Sequence, residues 1–238
     1  RRLKPIAKRE GLLVRLVRQE KLRSFRTSPK YKYGYIVPKD YAQAVELDIK
    51  AGNRKWRDAA KLEMDVLREY KVFIDLGEYD PENSPPGFKQ IRCHMIFDIK
   101  YDGRHKARMV AGGHQADIPI DSVYSGVVSL RGFRMCVFLA ELNGMQTYTT
   151  DITSSYLEAY TNEKIVVRAG PEFGELSGHL LLVSKSLYGM SSSGLRFNEL
   201  LGKCLSDLGF ERSKCEADIW MRDKGDHYKY VCTYVDDL

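Results

Sequence analysis

The stretch HYKYVCTYVDDL, residues 227–238, limits what this chain can fold into more than any other. It reads as an apolar strand, yet it delivers two adjacent carboxylates, Asp236 and Asp237, at its end. Neighbouring anions repel, and a strand end has no need of them. They make most sense around a multivalent cation. A fold that builds such a site must bring a further carboxylate to the same place.

Asp151 is the natural candidate. MQTYTTDITSSYLEAY, residues 145–160, reads as a strand running into a helix, with Asp151 at the junction. Thr149, Thr150, Thr153, Ser154 and Ser155 supply small neighbours for a crowded site. A two-metal phosphoryl-transfer site needs carboxylates from separate strand ends, holding two Mg²⁺ ions about 3.5–4 Å apart. Mg²⁺ takes oxygen ligands and keeps part of its water, so two or three carboxylates suffice. Mn²⁺ fits the same donors. Taken alone, Asp151 reads as a helix cap or Asx-turn, and Asp236-Asp237 as a turn.

Composition is that of a globular chain: 238 residues, 43% hydrophobic and 29% charged. The net charge of +6 is unevenly placed. Residues 1–40 hold 13 Lys/Arg against three acids, which leaves the remainder acidic. This arm suits phosphate contact, and equally suits a solvated basic helix or a linker. The five cysteines are scattered and read as free buried thiols of a reducing compartment. The five histidines are scattered too, and no zinc site is expected. No apolar run reaches the length of a membrane span.

AGNRKWRDAAKLEMDVLREY, residues 51–70, predicts a helix capped by Asn53, with Trp56, Ala60 and Leu67 on one face. GEYDPENSPPG, residues 77–87, is a loop, and residues 88–113 form a hairpin turning at Asp102-Gly103. Ser129 caps a helix whose apolar face is Phe133, Val137 and Ala140, stopped at Asn143-Gly144. Two strands, EKIVVRAG and LLLVSKSLYG, lead to a helix with the stripe Phe197, Leu201, Cys204, Leu205 and Leu208, ended by Gly209. A final hairpin turns at Lys224-Gly225-Asp226. Strands and helices do not alternate regularly, so the expected class is α+β, with helices packed on a mostly antiparallel sheet.

In order and spacing these motifs resemble the reverse transcriptase region of copia-type retrotransposon polyproteins. YVDDL has the tyrosine-x-Asp-Asp form of the palm hairpin, and DITSSYLEAY is similar to the preceding palm motif. KSLYGMSSSGLRF, HKARMVAGGHQ, WRDAAKLEMDVL and LGFERSKCEADIWM resemble further copia-type stretches, so the likeness runs from about Tyr33 to Leu238. It implies a fingers/palm fold: a basic arm or linker at 1–40, a fingers-like region at 41–128 and an incomplete palm-like region at 129–238. It implies RNA-directed DNA synthesis from deoxynucleoside triphosphates on a primed RNA or DNA template. Asp151 and Asp236 would be the principal metal ligands, with Asp237 more peripheral. Tyr156 would be the steric gate against a ribose 2′-OH; from the residues alone it reads equally as a core tyrosine. Either Lys106 or Arg108 would meet the triphosphate.

One departure matters. Where copia-type sequences have a glutamine after the Tyr-Gly pair, this chain has Ser192, in the run Met190-Ser191-Ser192-Ser193. If that glutamine seats the incoming nucleotide, the shorter Ser192 hydroxyl must reach through water or leave the task to backbone. The aromatic at Tyr156 speaks against an RNA-directed RNA polymerase. The competing reading is a non-catalytic nucleic-acid-binding remnant of a decayed element. The resemblance also predicts downstream thumb and RNase H partners, a cytoplasmic particle or the nucleus as location, and an inactive fragment when the chain stops at its catalytic hairpin.

Overall fold

The computed structural model describes residue 11 and residues 13–19, 29–81, 84–116 and 123–238. Residues 13–19 are helical, and most of the basic arm, with its expected phosphate contacts, lies outside the described residues. Among the described residues no helix is long and apolar enough to cross a membrane.

Strands β1 (Lys30–Lys32) and β2 (Tyr35–Val37) form a small antiparallel hairpin. Helix α1 (Tyr41–Lys50) follows, capped by the Asp40 carboxylate, which accepts from the Gln43 N–H at 2.8 Å. Helix α2 (Lys55–Glu69) buries Trp56, Ala60, Met64 and Leu67, as the apolar spacing predicts. The helix begins at Lys55, and Asn53 Oδ1 accepts from Lys55 N at 3.2 Å. The next two N–H groups are met from the preceding helix: buried Asp48 accepts from Trp56 N at 3.1 Å and Arg57 N at 2.9 Å. Asn53 and a carboxylate from outside the local sequence thus share the capping.

Strand β3 (Phe73–Glu78) runs into the expected loop. Beyond it lie β4 (Lys89–Ile91), β5 (Cys93–Ile99) and β6 (His105–Ala111). β5 and β6 pair antiparallel around Asp102-Gly103 as expected. β4 separates from that hairpin and pairs parallel with β7 (Ile165–Arg168). β7 pairs antiparallel with β8 (His179–Val183), and β8 with β3. The resulting order is β3-β8-β7-β4. Ile165, Val166 and Val167 are all buried, which suits an inner strand covered on both faces. The architecture is therefore α+β, but among the described residues its strands divide among four small sheets rather than one layer.

The largest core joins α1 and α2 to β4–β8. It includes Leu157, Ile165, Leu181 and Met190, so a boundary at 128/129 does not separate two cores.

In the C-terminal part, Ser129 caps helix α3 (Leu130–Leu142) by accepting from Gly132 N at 3.0 Å. Its expected apolar face is not the buried one: Phe133 is 45% and Val137 41% exposed. The helix docks instead through Gly132 and Cys136. Small residues let it approach closely, and a Cβ at 132 would collide with Glu216 and Ile219. Helix α4 (Ser155–Glu158) is a single turn, and residues 145–150 form no strand. Helix α5 (Ser193–Asp207) buries Phe197, Leu201 and Leu205, whereas Cys204 and Leu208 are exposed. β9 (Glu211–Arg212), β10 (Ile219–Asp223) and β11 (Tyr228–Cys232) complete a second sheet in the order β11-β10-β9. All five cysteines are free, and Cys204 and Cys215 are exposed rather than buried.

Candidate metal and nucleotide site

β11 leads into a tight turn. Tyr234 N donates to the Asp237 carbonyl at 2.9 Å, and Asp237 N donates to the Tyr234 carbonyl at 3.1 Å. Val235 occupies the first central position with φ +57°. A β-branched residue in the left-handed region carries strain of order 1–3 kcal/mol, and strain of this kind collects at functional sites.

The segment around Asp151 pairs with this turn. Thr150 N donates to the Leu238 carbonyl at 3.1 Å, Leu238 N to the Thr150 carbonyl at 2.9 Å, and Ile152 N to the Asp236 carbonyl at 2.8 Å. Asp151 and Asp237 therefore face each other directly as an antiparallel bridge whose hydrogen bonds are made by their neighbours. In such a pair the Cα atoms lie about 4.5 Å apart and the side chains share a face. Two residues 86 positions apart are thus held in register, both exposed. Among the described residues, no three Asp, Glu, His or Cys side chains are gathered closely enough to hold a metal ion. The backbone brings Asp151 and Asp237 to one face, with Asp236 next in the turn opposite Ile152, and the side chains as they stand are not closed around a point. Their donor set, all carboxylate oxygen, fits a hard cation such as Mg²⁺.

Beside the carboxylates lie two tyrosines. Ser154, with φ +56°, turns the chain sharply, and Tyr156 in the first turn of α4 is half-buried. Its ring sits 5.2 Å from Tyr188 and 6.2 Å from Phe197. Burial pushes both tyrosine hydroxyls above the ordinary range, and the negative charge of Asp236 adds to it. Asp236 thus acts electrostatically on the tyrosine pair.

Along β6, Ala107, Met109 and Ala111 are buried, and Lys106 and Arg108 share the opposite face. The Arg108 guanidinium lies over the Tyr188 ring at 4.7 Å. Lys106 stands two residues further out, opposite Asp98. Burial, and then the Arg108 charge, push its ammonium below the usual range. Of the two cations, Arg108 is the one brought to the tyrosine pair. Glu63 of α2 braces this strand by accepting from Met109 N at 2.9 Å. Burial raises its carboxyl, and the Met109 bond with the Arg108 and Lys106 charges pulls it back.

Ser192 is placed differently. It is 3% exposed, and its N–H and hydroxyl both donate to Glu163 Oε1, at 3.0 and 2.5 Å. Its side chain is thus committed to the loop before β7. Sequence reasoning missed Tyr188 and Glu63. Tyr188 lies inside the quoted KSLYG stretch, but nothing local marks it as facing Arg108.

The reverse transcriptase (RNA-dependent DNA polymerase) family profile matches residues 78–238, two-thirds of the chain and all of the carboxylate, tyrosine and Arg108 positions. The chain belongs to the reverse transcriptase family. Its relatives include the transposon Ty1-BL and Ty1-DR4 Gag-Pol polyproteins of Saccharomyces cerevisiae (strain ATCC 204508 / S288c), each 28% identical over 234 residues. These alignments cover 97% of this chain but only 12% and 14% of those polyproteins. The copia-type likeness first carried by YVDDL, DITSSYLEAY and KSLYG is borne out by these relatives.

Proposed function

We propose that this chain carries the nucleotidyl-transfer site of an RNA-directed DNA polymerase, with residues 41–128 contributing to fingers and 129–238 to palm. The observation that carries this is the Asp151–Asp237 register beside the Tyr156–Tyr188–Arg108 cluster. Asp151 and Asp236 would hold divalent metal, Mg²⁺ or Mn²⁺, with Asp237 alongside. Ions held by these carboxylates would supply activation of a primer 3′-OH and neutralisation of triphosphate charge.

The chain's own side chains do the rest. Arg108 presents a planar guanidinium, suited to bidentate contact with phosphate oxygens. Tyr156 presents a ring where a ribose 2′-OH would lose its hydrogen-bond partners and its room. The substrates are deoxynucleoside triphosphates and a primed RNA or DNA template. The role in seating nucleotide passes from Ser192 to Arg108, because the Ser192 hydroxyl is already engaged by Glu163.

Primer extension with and without Mg²⁺, by a longer parent chain that carries these residues, tests the reading. Tyr156→Ala should raise ribonucleotide relative to deoxyribonucleotide incorporation about tenfold or more, the scale on which pocket shape discriminates. Unchanged discrimination in a competition assay would return Tyr156 to the role of a core residue.

A further inference from the structure

Half-buried Tyr188 is held by its backbone as well as by its ring. Its carbonyl accepts from Ala111 N at 2.7 Å, which ties it to the strand that carries Arg108. The next residue, Gly189, has φ +89°, and a Cβ there would collide with the Ala111 carbonyl and Val110. A Cβ on Gly113 would in turn collide with the Gly189 carbonyl. The end of β6 and the Leu187–Met190 turn therefore meet backbone to backbone, a fit that only glycine allows. The fit puts one ring between two functional groups. Arg108 lies over it at 4.7 Å, and Tyr156 stands 5.2 Å away.

We infer that Tyr188 is a positioning residue that forms the far wall of the nucleotide pocket, holding Arg108 toward the triphosphate and Tyr156 toward the sugar. The inference rests on the polymerase reading. A guanidinium on a flexible side chain loses rotamer freedom when it binds phosphate, and a ring beneath it removes that freedom beforehand. An ammonium cannot stack in the same way, so Lys cannot replace Arg here. The Tyr188 hydroxyl is not part of this argument; the ring is.

The test is calorimetric titration of the full chain with dTTP and with UTP, in the presence of Mg²⁺. Tyr188→Phe should bind dTTP within about twofold of wild type, because the ring survives. Tyr188→Leu should weaken dTTP about tenfold and narrow the dTTP/UTP preference, since both partners lose their wall. Arg108→Lys should weaken dTTP nearly as much as Arg108→Ala, and Tyr188→Leu combined with Arg108→Lys should be little weaker than Tyr188→Leu alone. Where Tyr188→Leu fails to fold, the Arg108→Lys and Arg108→Ala pair decides, as both lie on a solvent-facing strand side. Asp151→Asn guards the underlying reading. If wild type shows no Mg²⁺-dependent dTTP binding, or Asp151→Asn leaves that binding unchanged, the polymerase reading falls and this inference with it. If Asp151→Asn abolishes it while Tyr188→Leu or Arg108→Lys binds as wild type, only this inference falls. A tenfold loss in Tyr188→Phe would overturn it too, by assigning the effect to the hydroxyl.

Discussion

In a longer parent that extends primers, Asp151→Asn is expected to lower nucleotidyl transfer at least ~1000-fold, about 4 kcal/mol of transition-state stabilisation, and in this chain to leave the fold intact. The two halves of this expectation have separate physical origins. Asp151 is exposed, and its register with the carboxylate turn is made by the backbone of Thr150, Ile152, Asp236 and Leu238. Asparagine changes none of those bonds. Without metal, Asp151 and Asp237 are like charges in a facing pair, an arrangement that costs a few tenths to ~1 kcal/mol. The variant should therefore unfold at the same temperature as wild type or slightly above. Adding Mg²⁺ should reverse the order, because an ion that binds only the folded state raises stability by mass action. Thermal scans with and without Mg²⁺, beside a primer-extension assay, check both halves. A variant that extends primers normally, or a wild type whose unfolding ignores Mg²⁺, would sink the assignment.

Much of this site was legible in the sequence because it depends on local order. The apolar run before Asp236 predicted a strand end, and β11 with its turn follows from it. The Asp102-Gly103 turn fixed the β5–β6 register, and the alternation of β6 then put Lys106 and Arg108 on one face. The choice between those two was not local. Arg108 is selected by Tyr188, 80 residues further along, through a backbone contact at Ala111 that no periodicity announces. The strand expected before Asp151 fails for a related reason. Its residues have the right propensity, but the pairing given to residues 150–152 is short, and a strand needs a ladder. Helix α3 shows the opposite error. Its spacing identified a helix and a cap correctly, yet the buried positions are the small ones, Gly132 and Cys136, because close approach mattered more than apolar volume. Ser192 was read through a family position, and the structure gives its hydroxyl to Glu163.

Asp48→Ala is the second large effect, expected to cost about 3 kcal/mol, the low end for a buried charge that loses its pairing, because the Arg57 partner reaches solvent. Asp48 is fully buried near the end of α1 and supplies the acceptors at the start of α2 that Asn53, bonded to Lys55 N, does not. Its carboxylate accepts from the N–H groups of Trp56 and Arg57, and from Arg57 Nε at 3.2 Å. Alanine leaves these donors without an acceptor at the N-terminus of a 15-residue helix, where the helix dipole also favours an anion. For a chain of this size the midpoint should fall by about 10 °C. Asp48→Asn keeps one acceptor oxygen and should lose only about 1–2 kcal/mol. The damage should reach the nucleotide site. Trp56, next to the lost cap, packs against Phe97 and His105 of the β5–β6 hairpin, with ring centroids 5.6 and 4.3 Å away. Further along α2, Glu63 holds Met109, the neighbour of Arg108. Loosening the start of α2 should therefore weaken dTTP binding in Asp48→Ala even at temperatures where the chain stays folded. Thermal unfolding and dTTP titration on the same samples measure both effects. A loss of less than about 1 kcal/mol would show that water or another side chain caps α2, and that Asp48 is not what fixes it.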